Sequence, residues 1–509
     1  MDQTITAGSA PEFTAPARVT PFIDGEFLPP GAANVLPVLY PATEEQVSEV
    51  EEADAPTVDR AIRAARAAFE HGPWPRLQTA ERQALMRRVA ALIRQHAREL
   101  AWLECRNSGI PFAHLMRLGI PRAAQNFEFF AEFVGQSSGQ VYTQDNRYLT
   151  LVTREPVGVA ALIGPWNSPL ALTSMKIAGC IAFGNCCVVK PAEQTPLAVA
   201  RLMELIREAG IPPGVVNLVN GRGAVTGDAM VRHPGIDLVS FTGGTATGRT
   251  IMSTAGAGLK PCSLELGGKS ANIIFASADF ERALDGALLG IFSNNGQQCL
   301  AGSRILVERK IADDFIAAFV ARATRIKVGD PMDPATEIGP LAFRAHLERV
   351  LSYVGIAQAE GSRLLTGGGR APGFTRGNYM QPTAVLAPGN QARICQEEAF
   401  GPFAAFVLFD SFNEAIAIAN DSRYGLVSYV WTDDMPTALN ATRAIRSGVV
   451  WVNTPMVREL RAPFGGVKES GLGREGGHSS MQFYTAEKTT TMPVEAVGMA
   501  RMGMGQAAQ

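Results

Sequence analysis

Histidine is scarce in this chain, with six in 509 residues, scattered without metal-ligand spacing. Cysteine shows no pattern either. The seven thiols, at 105, 180, 186, 187, 262, 299 and 395, are an odd number without framework spacing, and the adjacent pair Cys186-Cys187 lacks partners for a metal. No disulfide scaffold and no metal are expected, and reduced thiols point to the cytoplasm. Long apolar runs are also missing: no window approaches a membrane span. The start, Met1-Asp2-Gln3-Thr4-Ile5, has neither the basic nor the apolar region of a signal peptide. Charge of one sign is absent as well. Forty-six Lys and Arg against 48 Asp and Glu leave −2, which offers no field for nucleic acid or an anionic membrane.

What is present is apolar and glycine-rich: 46% hydrophobic residues and 51 glycines suggest a compact α/β protein. The length exceeds what one core supports, so two or three domains are expected. Residues 1–18 are small and polar and read as a tail. Pro21 to Phe27 reads as a short hairpin, and Thr57 to Glu70 as an Ala-rich helix. A longer helix follows Thr79, with Leu85, Met86, Val89, Leu92 and Ile93 marking one face.

From Val157 the pattern becomes strand, helix, strand. Val157–Ile163, Cys186–Val189, Val215–Val219 and Asp237–Phe241 are apolar strands, each followed by helical sequence. Thr195-Pro196 reads as the cap and first residue of a helix that Gly210 closes. Such alternation predicts a parallel, doubly wound sheet. A second α/β series starts at Ala271-Asn272-Ile273-Ile274-Phe275 and runs to about residue 479. Segments 139–156 and 480–496 are rich in β-formers yet belong to no βα unit, and an unpaired edge is a liability.

Three motifs carry chemistry. Cys299 stands in the Gly-rich turn Gly296-Gln297-Gln298-Cys299-Leu300-Ala301-Gly302. Thirty-four residues upstream, Leu264-Glu265-Leu266-Gly267-Gly268-Lys269 brackets a carboxylate with apolar residues. A thiol nucleophile needs a base, and apolar surroundings raise a Glu toward that role. With Gly164-Pro165-Trp166-Asn167-Ser168-Pro169, these segments resemble the NAD(P)-dependent aldehyde dehydrogenase superfamily, from about Pro21 to Lys488.

That resemblance implies two Rossmann-like domains plus a small bridging β element. Residues 19–138 and 157–264 would bind NAD, 265–479 would be catalytic, and 139–156 with 480–496 would join subunits of a homodimer or homotetramer. The glycine turns after the strands do not match G-x-G-x-x-G, and by themselves fit a tight strand-to-helix turn equally well. The implied nucleotide set is Trp166, Lys190, Glu193, Gly223, Gly227, Phe241, Gly243, Gly244, Leu266, Glu398 and Phe400. Gly244 stands where the family usually has Ser, which leaves phosphate to the backbone at the helix opening with Thr245. Glu193 would accept from two adenosine ribose hydroxyls and repel a 2′-phosphate, favouring NAD over NADP. Glu398 would hold the nicotinamide ribose.

The resemblance also implies Cys299 as nucleophile, Glu265 as base and Asn167 as oxyanion donor, the other six cysteines being buried small hydrophobes. Ser168, Met175, Leu300 and Phe464 would line a wide aldehyde tunnel. Arg122 and Arg461 are similar to arginines of the hydroxymuconic and aminomuconic semialdehyde dehydrogenase subgroup, where they clamp a distal carboxylate. Both residues also fit structural ion pairs. A neutral aromatic or terpenoid aldehyde is the other substrate reading. A CoA-acylating relative, a thiol esterase and a catalytically silent relative are the rival functions; Glu265 speaks against the first, and the intact trio against the last.

Overall fold

The computed structural model describes residues 13–31 and 34–503. Its larger sheet has eight strands, and the chain lays down Val159–Ile163 at its centre. Cys186–Lys190 and then Val216–Leu218 add on one side, while Leu238–Thr242 and Cys262–Glu265 add on the other, all parallel. These strands are buried on both faces, which is why they read as continuous apolar runs rather than alternating ones. The sheet reverses its direction of growth between Val159–Ile163 and Leu238–Thr242, opening a crevice beyond their carboxyl ends. The expected hairpin, Phe22–Ile23 with Glu26–Phe27, extends one edge.

The seven-stranded sheet repeats the plan around Ala271–Ile274. Arg304–Glu308, Phe403–Phe409 and Thr383–Leu386 lie to one side, with Val427–Trp431 and Val449–Val452 to the other. Successive residues feed opposite cores: Ile273, Leu306, Ala405 and Val407 face one, and Ile274, Ile305, Val307, Ala404 and Phe406 the other.

Four boundaries differ from the sequence expectation. Residues 1–12 of the expected tail lie outside the described residues. Past them the chain is packed: the Phe13 ring lies 6.4 Å from Trp102, and Arg18–Val19 pairs with Gln46–Glu51. The helix expected from Thr195-Pro196 starts at Leu197, with Pro196 as its cap. Gly471–Leu472, expected within the second α/β unit, instead pairs antiparallel with Cys262–Glu265 and edges the first sheet. Segment 480–496 is not all strand: Gly477–Tyr484 is helical, its Met481 and Tyr484 buried, and the strand is Thr485–Pro493.

That strand pairs along its whole length with Tyr148–Pro156, which also carries Gln140–Tyr142. The two β-rich segments therefore partner each other within one chain, and the outer strands expose Val141, Tyr142 and Met492. No helix of the described residues is long and apolar enough to cross a membrane.

Candidate active site

The crevice at the switch point holds a cavity of about 730 Å³. All eleven residues of the expected nucleotide set line it, together with Cys299, Glu265 and Asn167. A Cβ built on Gly223 or Gly244 would meet nothing within 4 Å, so both backbones face open space. The helix Thr245–Ala257 starts at Gly244 with no side-chain cap, leaving its first amides free to take an anion. Lys190, buried, lies 3.5 Å from Glu193. A cavity of this size, lined by an uncapped helix start and by the carboxylates of Glu193 and Glu398, fits a dinucleotide.

At the far end, Trp166 meets Phe343, His346 and Phe400 edge-on at 4.9–5.3 Å between ring centroids. Phe400 has φ +63°, costly for a bulky residue, and the His346 Nε2 atom lies 2.7 Å from its carbonyl. Burial pushes His346 down to about 4, so the ring is neutral at physiological pH and donates there through Nε2–H. Glu398 accepts from the Gly268 N–H at 2.9 Å, and burial pushes its carboxyl up to about 7. Sequence reasoning missed Phe343, His346 and Arg349; no motif marks them.

The reactive groups come from three chain reversals. Asn167 follows the strand Val159–Ile163, and Glu265 ends the strand Cys262–Glu265. Cys299 sits between the helix Phe280–Phe292 and the strand Arg304–Glu308. Gly268 makes the approach of the thiol loop possible, since a Cβ there would run into the carbonyl of Cys299. Gly465, at φ +153°, likewise leaves room for the Glu265 carboxyl.

Glu265 is buried, and neither carboxyl oxygen has a hydrogen-bond partner among the described residues. Burial first, then Glu475, holds it well above the usual carboxylate range; Lys176, Arg474 and Arg458 oppose. Cys299 is pushed up to about 12 by burial, then by Glu398 and Glu265. Both nearby carboxyls thus disfavour the thiolate in this arrangement.

Behind Glu265 lies a group that the sequence did not disclose. Lys176, fully buried in the helix Pro169–Ala182, donates to Glu475 at 2.8 Å and to the Ser240 hydroxyl at 2.9 Å. Met175 lines a second, small cavity with Lys176, Ser240 and Glu475, and is not among the residues lining the nucleotide crevice. Ser168 is the N-cap position of the same helix, half-buried beside Asn167. Leu300 and Phe464 pack with Cys299 against one apolar cluster.

The two expected arginines lie in different surroundings. Arg122 is largely buried, with its Nε donating to Asn126 at 3.0 Å. Burial, then Arg458, pushes it down to about 10. Arg461 corrects the sequence reading: its side chain is 76% exposed and paired with Glu459 at 3.0 Å, so it does not face the tunnel. Arg458, three residues earlier, is only partly exposed. Its guanidinium lies 4.5 Å from the Phe464 ring, and it donates to the carbonyls of Glu459 and Ala462. Among the described residues neither Arg122 nor Arg458 forms an ion pair with a carboxylate. Two arginines three residues apart on one loop are indistinguishable by type, and only the turn at Glu459 decides which faces inward.

A thiol, an orphaned buried carboxyl and a side-chain amide lining one crevice that fits a dinucleotide define a thiol-dependent oxidoreductase site. The family model "Aldehyde dehydrogenase family" matches residues 28–490. The chain belongs to the aldehyde dehydrogenase family. It is 46% identical over 442 residues to a 5-carboxymethyl-2-hydroxymuconate semialdehyde dehydrogenase of Escherichia coli, covering 86% of this chain and 93% of that one. It is 41% identical to human retinal dehydrogenase 2, covering 93% and 91%. An NAD+ complex of an aldehyde dehydrogenase from Bacillus cereus superposes with a TM-score of 0.92 at 40% identity, covering 94% and 97%.

Proposed function

We propose that this protein oxidises an aldehyde to its carboxylic acid with NAD as hydride acceptor. The observation that carries this is that Cys299, Glu265 and Asn167 line the same crevice as the nucleotide set. The glycine-lined helix start would take the pyrophosphate, Glu193 the adenosine ribose and Glu398 the nicotinamide ribose; NAD supplies the acceptor for the hydride. Residues 19–138 and 157–264 form the nucleotide-binding unit, and 265–479 the catalytic one, less Gly471–Leu472.

Cys299 gives its proton to solvent water, Sγ bonds to the aldehyde carbon, and the carbonyl π pair moves onto the oxygen. The oxygen of the tetrahedral adduct accepts from the Asn167 amide and the Cys299 backbone N–H, a neutral pair that donates without titrating. One such donor contributes about 3 kcal/mol to the transition state. Once the carbon is oxidised, Cys299 carries the acyl group as a thioester. Glu265 removes a proton from water, the oxygen attacks the acyl carbon, and the C–S bond breaks to release acid and thiol. NADH absorbance with a panel of aldehydes, with and without CoA and with NADP in place of NAD, tests the reading. Product formation that requires CoA would overturn it.

The substrate carries a carboxylate at the end remote from its aldehyde. Arg122 and Arg458 are neighbouring arginines without a salt-bridge partner among the described residues, Arg458 lying over the Phe464 ring, and the semialdehyde relative bears such a carboxylate in its name. A charge-assisted arginine–carboxylate contact contributes about 2 kcal/mol, roughly thirtyfold in kcat/KM. Arg458→Ala should lose that factor for a carboxylate-bearing unsaturated semialdehyde and almost nothing for a neutral aldehyde of equal length, mainly through KM. Arg461→Ala should match wild type on both. Equal efficiency of the two aldehydes in wild type would shift the substrate to a neutral aromatic or terpenoid aldehyde.

The protein works in the cytoplasm as a homodimer or homotetramer. The three-stranded sheet supports assembly because both outer strands keep an open edge with apolar side chains exposed. Light scattering at micromolar concentration should give at least twice the chain mass; a fully active monomer would contradict it.

A further inference from the structure

Asn294 sits five residues before Cys299 in a conformation that few side chains adopt. Its φ is +51°, that of Asn295 is +58° and that of Gly296 is +70°. Asparagine tolerates this region because its short amide bonds locally. Here the amide does more. Asn294 Nδ2 donates to the main-chain carbonyl of Asn167 at 2.9 Å and to the carbonyl of Gln297 at 3.2 Å. The same Gln297 carbonyl accepts from Asn167 Nδ2 at 2.8 Å. Gln297 N–H returns to the Asn294 carbonyl at 3.0 Å, closing the turn.

These bonds join two chain segments 127 residues apart. A primary amide has two N–H groups in one plane. With one N–H of Asn167 held by Gln297, the plane of the amide is fixed and the second N–H is left to donate. The carbonyl that fixes it is in turn held by Asn294, which also grips the backbone of Asn167 itself. Neighbouring side chains secure the loop from outside: Asn295 donates to Gly109 and Pro340 carbonyls, and the Gln297 amide oxygen accepts from Ala342 N–H. Those anchors hold the loop to its surroundings. Among the described residues, Asn294 is the loop side chain that bonds to Asn167, beside the Gln297 main-chain carbonyl.

We propose that Asn294 is a positioning residue that sets the Asn167 amide at a fixed orientation relative to Cys299, so that its free N–H meets the oxyanion. This rests on the reading of Asn167 as the oxyanion donor. Misplacing a catalytic group by about 1 Å costs on the order of 100-fold in rate. Asn294→Gly removes the amide while permitting the positive φ, so backbone strain does not enter.

The test is a double-mutant cycle on kcat, using Asn167→Ala, Asn294→Gly and the pair, with saturating NAD and one good aldehyde. Asn294→Gly alone should lower kcat roughly 10- to 100-fold with KM for NAD unchanged. On the Asn167→Ala background the same change should cost less than about threefold, because the amide it orients is gone. If Asn294→Gly folds poorly by thermal melting, Asn294→Asp replaces it; its carboxylate keeps the shape but faces two carbonyls with no proton to donate. Full additivity, or an unaffected kcat in the single variant, overturns the role of Asn294 and leaves Asn167 as donor. An Asn167→Ala enzyme with undiminished kcat overturns the oxyanion reading itself, and Asn294 with it.

Discussion

Cys299→Ala should abolish NADH formation with every aldehyde, a loss of at least roughly 10³-fold, while the melting temperature and NAD binding stay at wild-type values. Six other thiols do not compensate. Cys105, Cys180, Cys186, Cys187 and Cys395 are buried, and Cys262 is half-buried with its Sγ 3.7 Å from the Lys260 carbonyl. Cys299 alone lines the crevice. The alanine variant leaves the rest of the loop untouched, because the bonds that hold it run through Asn294, Asn295 and Gln297. Steady-state NADH absorbance measures the loss, and fluorescence titration with NAD measures the retained binding. Turnover above a few per cent of wild type would remove Cys299 as nucleophile.

The residues that the sequence disclosed share one property: their neighbours in the chain are also their neighbours in the site. Cys299 lies in a Gly-rich turn, Glu265 ends a strand just before a Gly pair, and Asn167 follows a strand in a Pro-bounded segment, so local composition marks them. The nucleotide-lining glycines are legible for the same reason. Lys176 and Glu475, 299 residues apart, are not: a Lys in an apolar helix and a Glu in a glycine loop read as ordinary until folding brings them together at 2.8 Å. Arg458 and Arg461 show a second kind of limit. Both sit in Val457-Arg458-Glu459-Leu460-Arg461, and the ion pair of Arg461 with Glu459 turns one outward while Phe464 takes the other. The strand boundary at Thr485 shows a third, since the β-rich composition of segment 480–496 was overridden at its start by burial of Met481 and Tyr484.

Glu265→Gln should separate the two halves of the reaction. Both the thiol and the hydrolytic water must lose a proton, but they differ in need. The Cys299 thiol lies at about 12, and the backbone N–H groups of Cys299 and Leu300 favour its ionised form. Bulk water is a much weaker acid than the thiol and depends far more on a base. The variant should therefore still release about one NADH per active site in the first turnover, then slow by roughly 10²- to 10⁴-fold as thioester accumulates. Rapid-mixing absorbance reads the burst, and intact-protein mass reads the acyl adduct. The pH dependence carries a sign. Glu265 acts deprotonated, and burial holds its pKa well above the usual carboxylate range, so wild-type kcat should fall on acidification sooner than an ordinary Glu would dictate. In Glu265→Gln that acidic limb should vanish from the steady-state rate. A variant with no burst at all would transfer the main role of Glu265 to activating the thiol. A burst followed by a wild-type steady rate would leave the water to another base.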